Sequence, residues 1–252
     1  MKNIKKIPLI LSILSVLTFF TPVNAEVKVV TSIKPLHSLA SYLMDGVAKP
    51  DLIVDGYASP HGFAMKPSHA KMLQNADLIF WVGEDLESFL EKPLSSIAKK
   101  AEKIELMETK GLQVLKFRER NIFDEHDDHD DHDGHAKKKD GHDDHDDHDG
   151  HDDHEGHAHG EFDPHIWLDP INAKVILFEM SKHLIELDAK NETKYRENLS
   201  KAYKEIDKLT KDVTAELNQS VASIVFHDAY QYFEKRFNVN ILGAFTVNTD
   251  VM

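Results

Sequence analysis

The 252-residue chain contains no cysteine, which excludes disulfides and thiolate metal sites at once. Any metal it holds must be bound by His, Asp or Glu. It has no HExxH, GxxxxGK or GxSxG motif and no glycine-rich dinucleotide fingerprint, so the common signatures of zinc proteases, P-loop NTPases and serine hydrolases are missing. It has no basic patch of the kind that tracks a phosphate backbone, and nucleic acid is not expected as a partner. Past residue 25 no apolar run approaches the ~20 residues of a bilayer span.

The charge is also unevenly spread. The formal net charge is -14, yet 27 of the 44 acidic residues and 27 of the 30 basic ones lie outside Asp124–Glu161. That one segment carries the whole imbalance, and the rest reads as an ordinary globular protein.

Residues 1–25 have the pattern of a cleavable export signal. Lys2, Lys5 and Lys6 precede an apolar run from Pro8 to Phe20, and Val23-Asn24-Ala25 offers a small-residue cleavage site. Cleavage after Ala25 would leave Glu26 as the mature N-terminus, and the absence of a following Cys removes the attachment point for a lipid anchor. A soluble protein of the Gram-negative periplasm is expected.

After the signal, strands and helices alternate. Val27–Thr31, Asp51–Val54, Leu78–Val82 and Lys103–Met107 read as strands, with helices over Pro35–Met44, Pro67–Ala76 and Leu86–Ala98. The alternation predicts an α/β lobe on a parallel sheet, spanning 26–120. Residues 121–161 break the pattern. His126–His135 and His142–His151 are the same ten residues, HDDHDDHDGH. A stretch with so little apolar surface cannot offset its ordering entropy, so a disordered loop is expected. Residues 162–190 read as an inter-lobe segment with a connecting helix from Ile171 to Leu187, capped by Asp169 with Pro170 at its first turn. Residues 191–252 give a second helix, whose apolar stripe runs from Tyr195 to Leu217, and then strands at Val221–Phe226 and Asn240–Thr246. They predict the beginning of a second α/β lobe.

Two sets of histidines stand out. The acidic segment holds 11 of the 17: His126, His129, His132, His135, His142, His145, His148, His151, His154, His157 and His159. Imidazole interleaved with carboxylate suits zinc, and a flexible array of this kind is expected to bind several ions weakly. The second set is His61, His165 and His227, each at a strand or loop end. In open α/β sheets the carboxyl ends of strands face the ligand crevice, so three imidazoles from two lobes and their junction could form one site. Taken singly, each could equally be a satisfied structural residue. His37, His69 and His183 read as structural.

The segments VVTSIKPLHSLA, ASPHGFAMKPSHAKMLQNADLIFWVGEDLE, DPHIWLDPINA and IVFHDAYQYFEKRFNV, with the His-rich insertion between the second and third, resemble the cluster of bacterial ABC-transporter substrate-binding proteins for zinc and manganese, in its zinc branch. The resemblance implies two Rossmann-like β/α lobes joined by a long rigid helix, with Zn2+ held in the cleft by His61, His165 and His227 and delivered to a membrane permease. It implies a monomer and no catalysis. It also implies further β/α units after Thr246, so the second lobe is expected to be incomplete here, with Ile224, Phe226, Ile241 and Phe245 uncovered. A fourth ligand would lie in the missing part. Pro60 stands where some relatives carry an acid before the first His, so that extra oxygen ligand is unavailable. The competing readings are a zinc hydrolase, for which three His and a water would also serve, and a zinc buffer working through the His-rich segment alone.

Overall fold

The computed structural model describes residues 26–118, 160–217 and 221–246. The export signal and the eleven clustered histidines lie outside the described residues.

The first lobe is a four-stranded sheet in the order β2-β1-β3-β4, with every pair parallel. Its strands are β1 (Val29–Thr31), β2 (Asp51–Leu52), β3 (Leu78–Trp81) and β4 (Glu102–Glu105). Composition explains the order. Val29, Val30, Thr31 and all four residues of β3 are buried, as central strands covered on both faces must be. β2 and β4 carry Asp51, Glu102, Lys103 and Glu105 and take the edges. Helices α1 (Lys34–Leu43), α2 (Pro67–Asn75) and α3 (Glu84–Ser96) make the crossovers. α1 and α2 each begin with Pro in the first turn, where its missing N–H costs nothing. Because the chain runs from β1 outward to β2 and then back to β3 on the other side, the order reverses beside β1. A crevice at the carboxyl ends of β1 and β2 follows.

The long helix α4 (Pro170–Leu187) starts as the sequence predicts: Asp169 caps it by accepting from Ile171 N at 2.8 Å. Its 18 residues span about 27 Å. The sequence reading makes it the connecting helix between lobes. In the structure one face, Ile176, Leu177, Met180 and Leu184, is built into the core of the first lobe. Phe178 on another face is exposed. α5 (Glu192–Glu216) packs its first half beside α1 and α4. There Tyr195 and Ala202 are buried, and Asn198 Nδ2 donates to the carbonyls of Leu43 and Asp45 at 2.8 and 2.9 Å, satisfying the end of α1. The stripe then runs out of partners, and Leu209 is exposed.

The second lobe, among the described residues, is one parallel β-α-β unit: β5 (Ala222–His227), α6 (Gln231–Phe237) and β6 (Asn240–Thr246). The register shifts between Ser223 and Ile224, so that Ile224 faces Gly243 and Leu242 is the extra residue of a bulge. Ile224, Phe226, Leu242 and Phe245 are exposed. Ile241 departs from the expectation, being only 8% exposed, because it stands before the bulge, opposite Ser223 on the less exposed face.

Candidate metal centre

Each of the three isolated histidines is placed by a different local device. His61 lies in a 3-10 turn, Pro60–Gly62, just past β2. Ser59 caps this turn, its hydroxyl accepting from His61 N at 3.2 Å. His165 caps the 3-10 turn Ile166–Leu168 that leads into α4. His227 is the last residue of β5, and the two-residue period puts it on the same face as Ser223 and Val225.

The three rings converge. Their centroids are 5.7 Å apart for His61 and His165, 5.6 Å for His61 and His227, and 5.2 Å for His165 and His227. One nitrogen from each lies within 4.8 Å of the other two. His227 Nε2 stands 3.3 Å from His165 Nε2. Two nitrogens bound tetrahedrally to one zinc at 2.0–2.1 Å would be about 3.4 Å apart. The pair is therefore already at coordination spacing. The rings border a cleft of about 720 Å³ walled by Ile33 and Pro35 after β1, Val54 after β2, Trp167 and Leu168 at the junction, and Phe226 and Tyr230 of the second lobe. The structure thus places side by side three histidines that the sequence alone leaves either joint or separate.

Around the rings lies a layer of contacts that the sequence reading did not single out. Asp163 is fully buried, and its Oδ1 accepts from both the backbone N of His165 at 3.0 Å and the ring Nδ1 at 2.7 Å. That bond puts the proton on Nδ1 and leaves the Nε2 lone pair for a metal, the carboxylate–histidine–metal arrangement. Gln231 donates to Asp163 Oδ2 at 3.1 Å, and Tyr232 Oη to the Asp163 carbonyl at 2.7 Å. Tyr232 Oη also accepts from Leu115 N at 3.1 Å. Arg236 grips both oxygens of Asp169, at 2.8 and 2.6 Å. Arg118 reaches Asp228 at 3.2 Å and also pairs with Glu234. α6 is thereby tied to the first lobe and the inter-lobe segment by polar contacts on four of its side chains, Gln231, Tyr232, Glu234 and Arg236. Its one trace in the sequence is Phe233 and Phe237, four residues apart, a single turn too short to set a period.

His37 and His69 are placed as structural. His37 Nε2 meets the Pro50 carbonyl at 3.1 Å, and His69 Nδ1 accepts from Lys66 N, closing the start of α2.

Burial, and then the neighbouring His165 and His61, lower the His227 imidazole to about 4. A free imidazole titrates near 6.5. Between those values the unfolded chain takes up a proton that the fold refuses, so this group's contribution is intact above about pH 6.5 and is lost as pH falls toward 4. The thermal midpoint of chelator-treated protein is expected to drop across that window and to show no such His227-linked loss above it. A midpoint that stayed level from pH 6.5 to 4 would show that His227 is not held in this neutral, enclosed state.

The periplasmic zinc-uptake complex component A family profile matches residues 29–251. The chain is 49% identical over 228 residues to the high-affinity zinc uptake system protein ZnuA of Brucella abortus, covering 88% of this chain and 68% of that one. It is 36% identical over 240 residues to the protein of the same name in Yersinia pestis, covering 94% and 71%. Among solved structures, the periplasmic zinc-binding protein TroA of Treponema pallidum superposes with a TM-score of 0.66 at 19% identity, covering 89% of this chain and 69% of that one. That likeness supports the two-lobe fold.

Proposed function

Because the chain belongs to the periplasmic zinc-uptake component A family, we propose that it is the zinc-capturing component of an ABC-type uptake system, binding Zn2+ in the cleft and presenting it to a membrane permease. The observation that carries this reading is the approach of His61, His165 and His227 at near-coordination spacing. Three neutral imidazoles with a fourth position for water make a zinc site, and an all-imidazole set favours zinc over manganese, which prefers oxygen. The export signal, with cleavage after Ala25, and action as a monomer belong to the same proposal.

In this reading the eleven histidines between His126 and His159 bind further zinc ions weakly and raise the local zinc concentration near the cleft. Deleting 124–160 is expected to leave one tight zinc per chain and to remove the weak ones, counted by titration with metal analysis of the purified protein. Loss of the tight ion on deletion would make the segment itself the primary site and would support the buffer reading. Absence of any tight ion in the intact chain would overturn the proposal.

A hydrolase would need a carboxylate free to activate a zinc-bound water. Among the described residues the acids beside the rings each have a partner: Asp163 holds His165, and Asp228 pairs through Oδ2 with Arg118. Both favour a binding site over a catalytic one.

A further inference from the structure

About 20 Å along α4 from its first residue, a second group of metal-ligating side chains surrounds His183. His183 is 8% exposed. Its Nδ1 lies 2.7 Å from Glu102 Oε1 and 3.9 Å from Glu186 Oε2, and its Nε2 lies 3.0 Å from Glu179 Oε1. Glu179, His183 and Glu186 follow each other by four and three residues, so α4 presents them on one face. Glu102 enters from the amino end of β4. This is the opposite end of the sheet from the cleft, which lies at the carboxyl ends of the strands.

We propose that Glu102, His183 and Glu186 form a second, weaker site for a first-row divalent cation, with Zn2+ as the ion to test. One ligand atom from each lies within 4.8 Å of the other two. The chemistry of the set supports the assignment in three ways. First, His183 hydrogen-bonds carboxylates through both ring nitrogens, so a metal that displaces the proton between Nδ1 and Glu102 leaves the other proton on Nε2, held by Glu179. That is the carboxylate–histidine arrangement Asp163 gives His165 in the cleft. Secondly, three carboxylates converge on one imidazole, and the cation among the contacts is Lys182, paired with Glu179 at 2.9 Å. A divalent ion between Glu102 and Glu186 would offset charges that otherwise repel. Thirdly, one imidazole with two carboxylates suits zinc and its neighbours better than calcium or magnesium, which favour all-oxygen shells. Glu102 and Glu186 have side chains 37% and 57% exposed. They can therefore open the 2.7 Å hydrogen bond to the about 3.4 Å that two ligands of one tetrahedral zinc require. Such partly exposed ligands also make the site weaker than the cleft. An ion there would tie the edge strand β4 to the long helix.

The test is a zinc chloride titration of the full chain, labelled with 15N, followed through the imidazole nitrogen signals. The signals of His183 are identified by their loss in His183→Gln. Nδ1 of His183 is expected to shift to the metal-bound position in a step after the cleft histidines saturate. In Glu102→Gln/Glu186→Gln that step should need at least tenfold more zinc, with the His227 signals titrating as before. Glu179→Gln, which removes no ligand, should also weaken it, by ~10-fold. His183 signals that stay in place under a large zinc excess would overturn the proposal, leaving an imidazole held by carboxylates alone. An unchanged titration in the double variant would overturn it equally. Because His227 is read separately, failure here leaves the cleft assignment standing.

Discussion

Replacing any one of His61, His165 or His227 by Ala is expected to weaken tight zinc binding on the order of 10²–10³-fold, since a four-ligand zinc site worth roughly 10–16 kcal/mol draws about 2.5–4 kcal/mol from each ligand. The geometry makes the loss hard to recover. The rings are brought together from three separate parts of the chain, after β2, before α4 and at the end of β5, and none has a neighbouring histidine among the described residues to take its place. His37→Ala is the control, because His37 binds the Pro50 carbonyl away from the cleft and should leave the affinity unchanged. Competition against a chelator of known affinity measures both. Wild-type affinity in His61→Ala or His227→Ala would show that the tight ion sits elsewhere.

The second large effect is expected at a residue that touches no zinc. Asp163→Asn keeps the size of the side chain and removes its charge. The amide can still accept one hydrogen bond, but it holds the His165 tautomer less firmly and lowers the basicity of Nε2. Substituting such a supporting carboxylate typically costs ~10–100-fold in metal affinity. Asp163 is buried and also meets Gln231, so some loss of stability is expected as well. The two effects separate experimentally: the thermal midpoint of the zinc-free protein reports the packing, and the zinc dissociation constant reports the tautomer. An Asn variant with unaltered affinity would mean that the backbone alone aims His165.

How far the sequence reveals this site depends on the range of the interaction. Strands β1 to β6 and helices α1 to α5 follow from periodicity and proline placement to within a few residues, because those signals are local. The histidines at the carboxyl ends of strands could be nominated for the same reason. That they meet could not be read from spacing, since His61 and His227 are 166 positions apart in the chain, and the resemblance to the transport family supplied it. Asp163 escaped notice although it is two residues from His165, because an Asp before Pro reads as a turn residue. Its role depends on the ring bending back onto it. α6 was missed because seven residues are too few for periodicity to stand out between two strands. The contacts of Arg118 and Arg236 join residues 116 and 67 positions apart from their partners, which no local rule reaches.

The ties on α6 bear on how quickly the ion comes and goes. Swinging the lobes apart would break the Arg236–Asp169 fork, the Arg118 pairs and the two hydrogen bonds of Tyr232. Hydrogen bonds to charged groups are each worth about 1.5–3 kcal/mol, so that route has a high barrier. His61 rides on a short turn in which the Ser59 hydroxyl accepts from the His61 N–H, after a span where residues 55–59 are all exposed. With the three histidines as the proposed ligands, the lobes are expected to stay clasped through each capture and release, so that the ion's residence time is set inside a closed cleft rather than by the angle between the lobes.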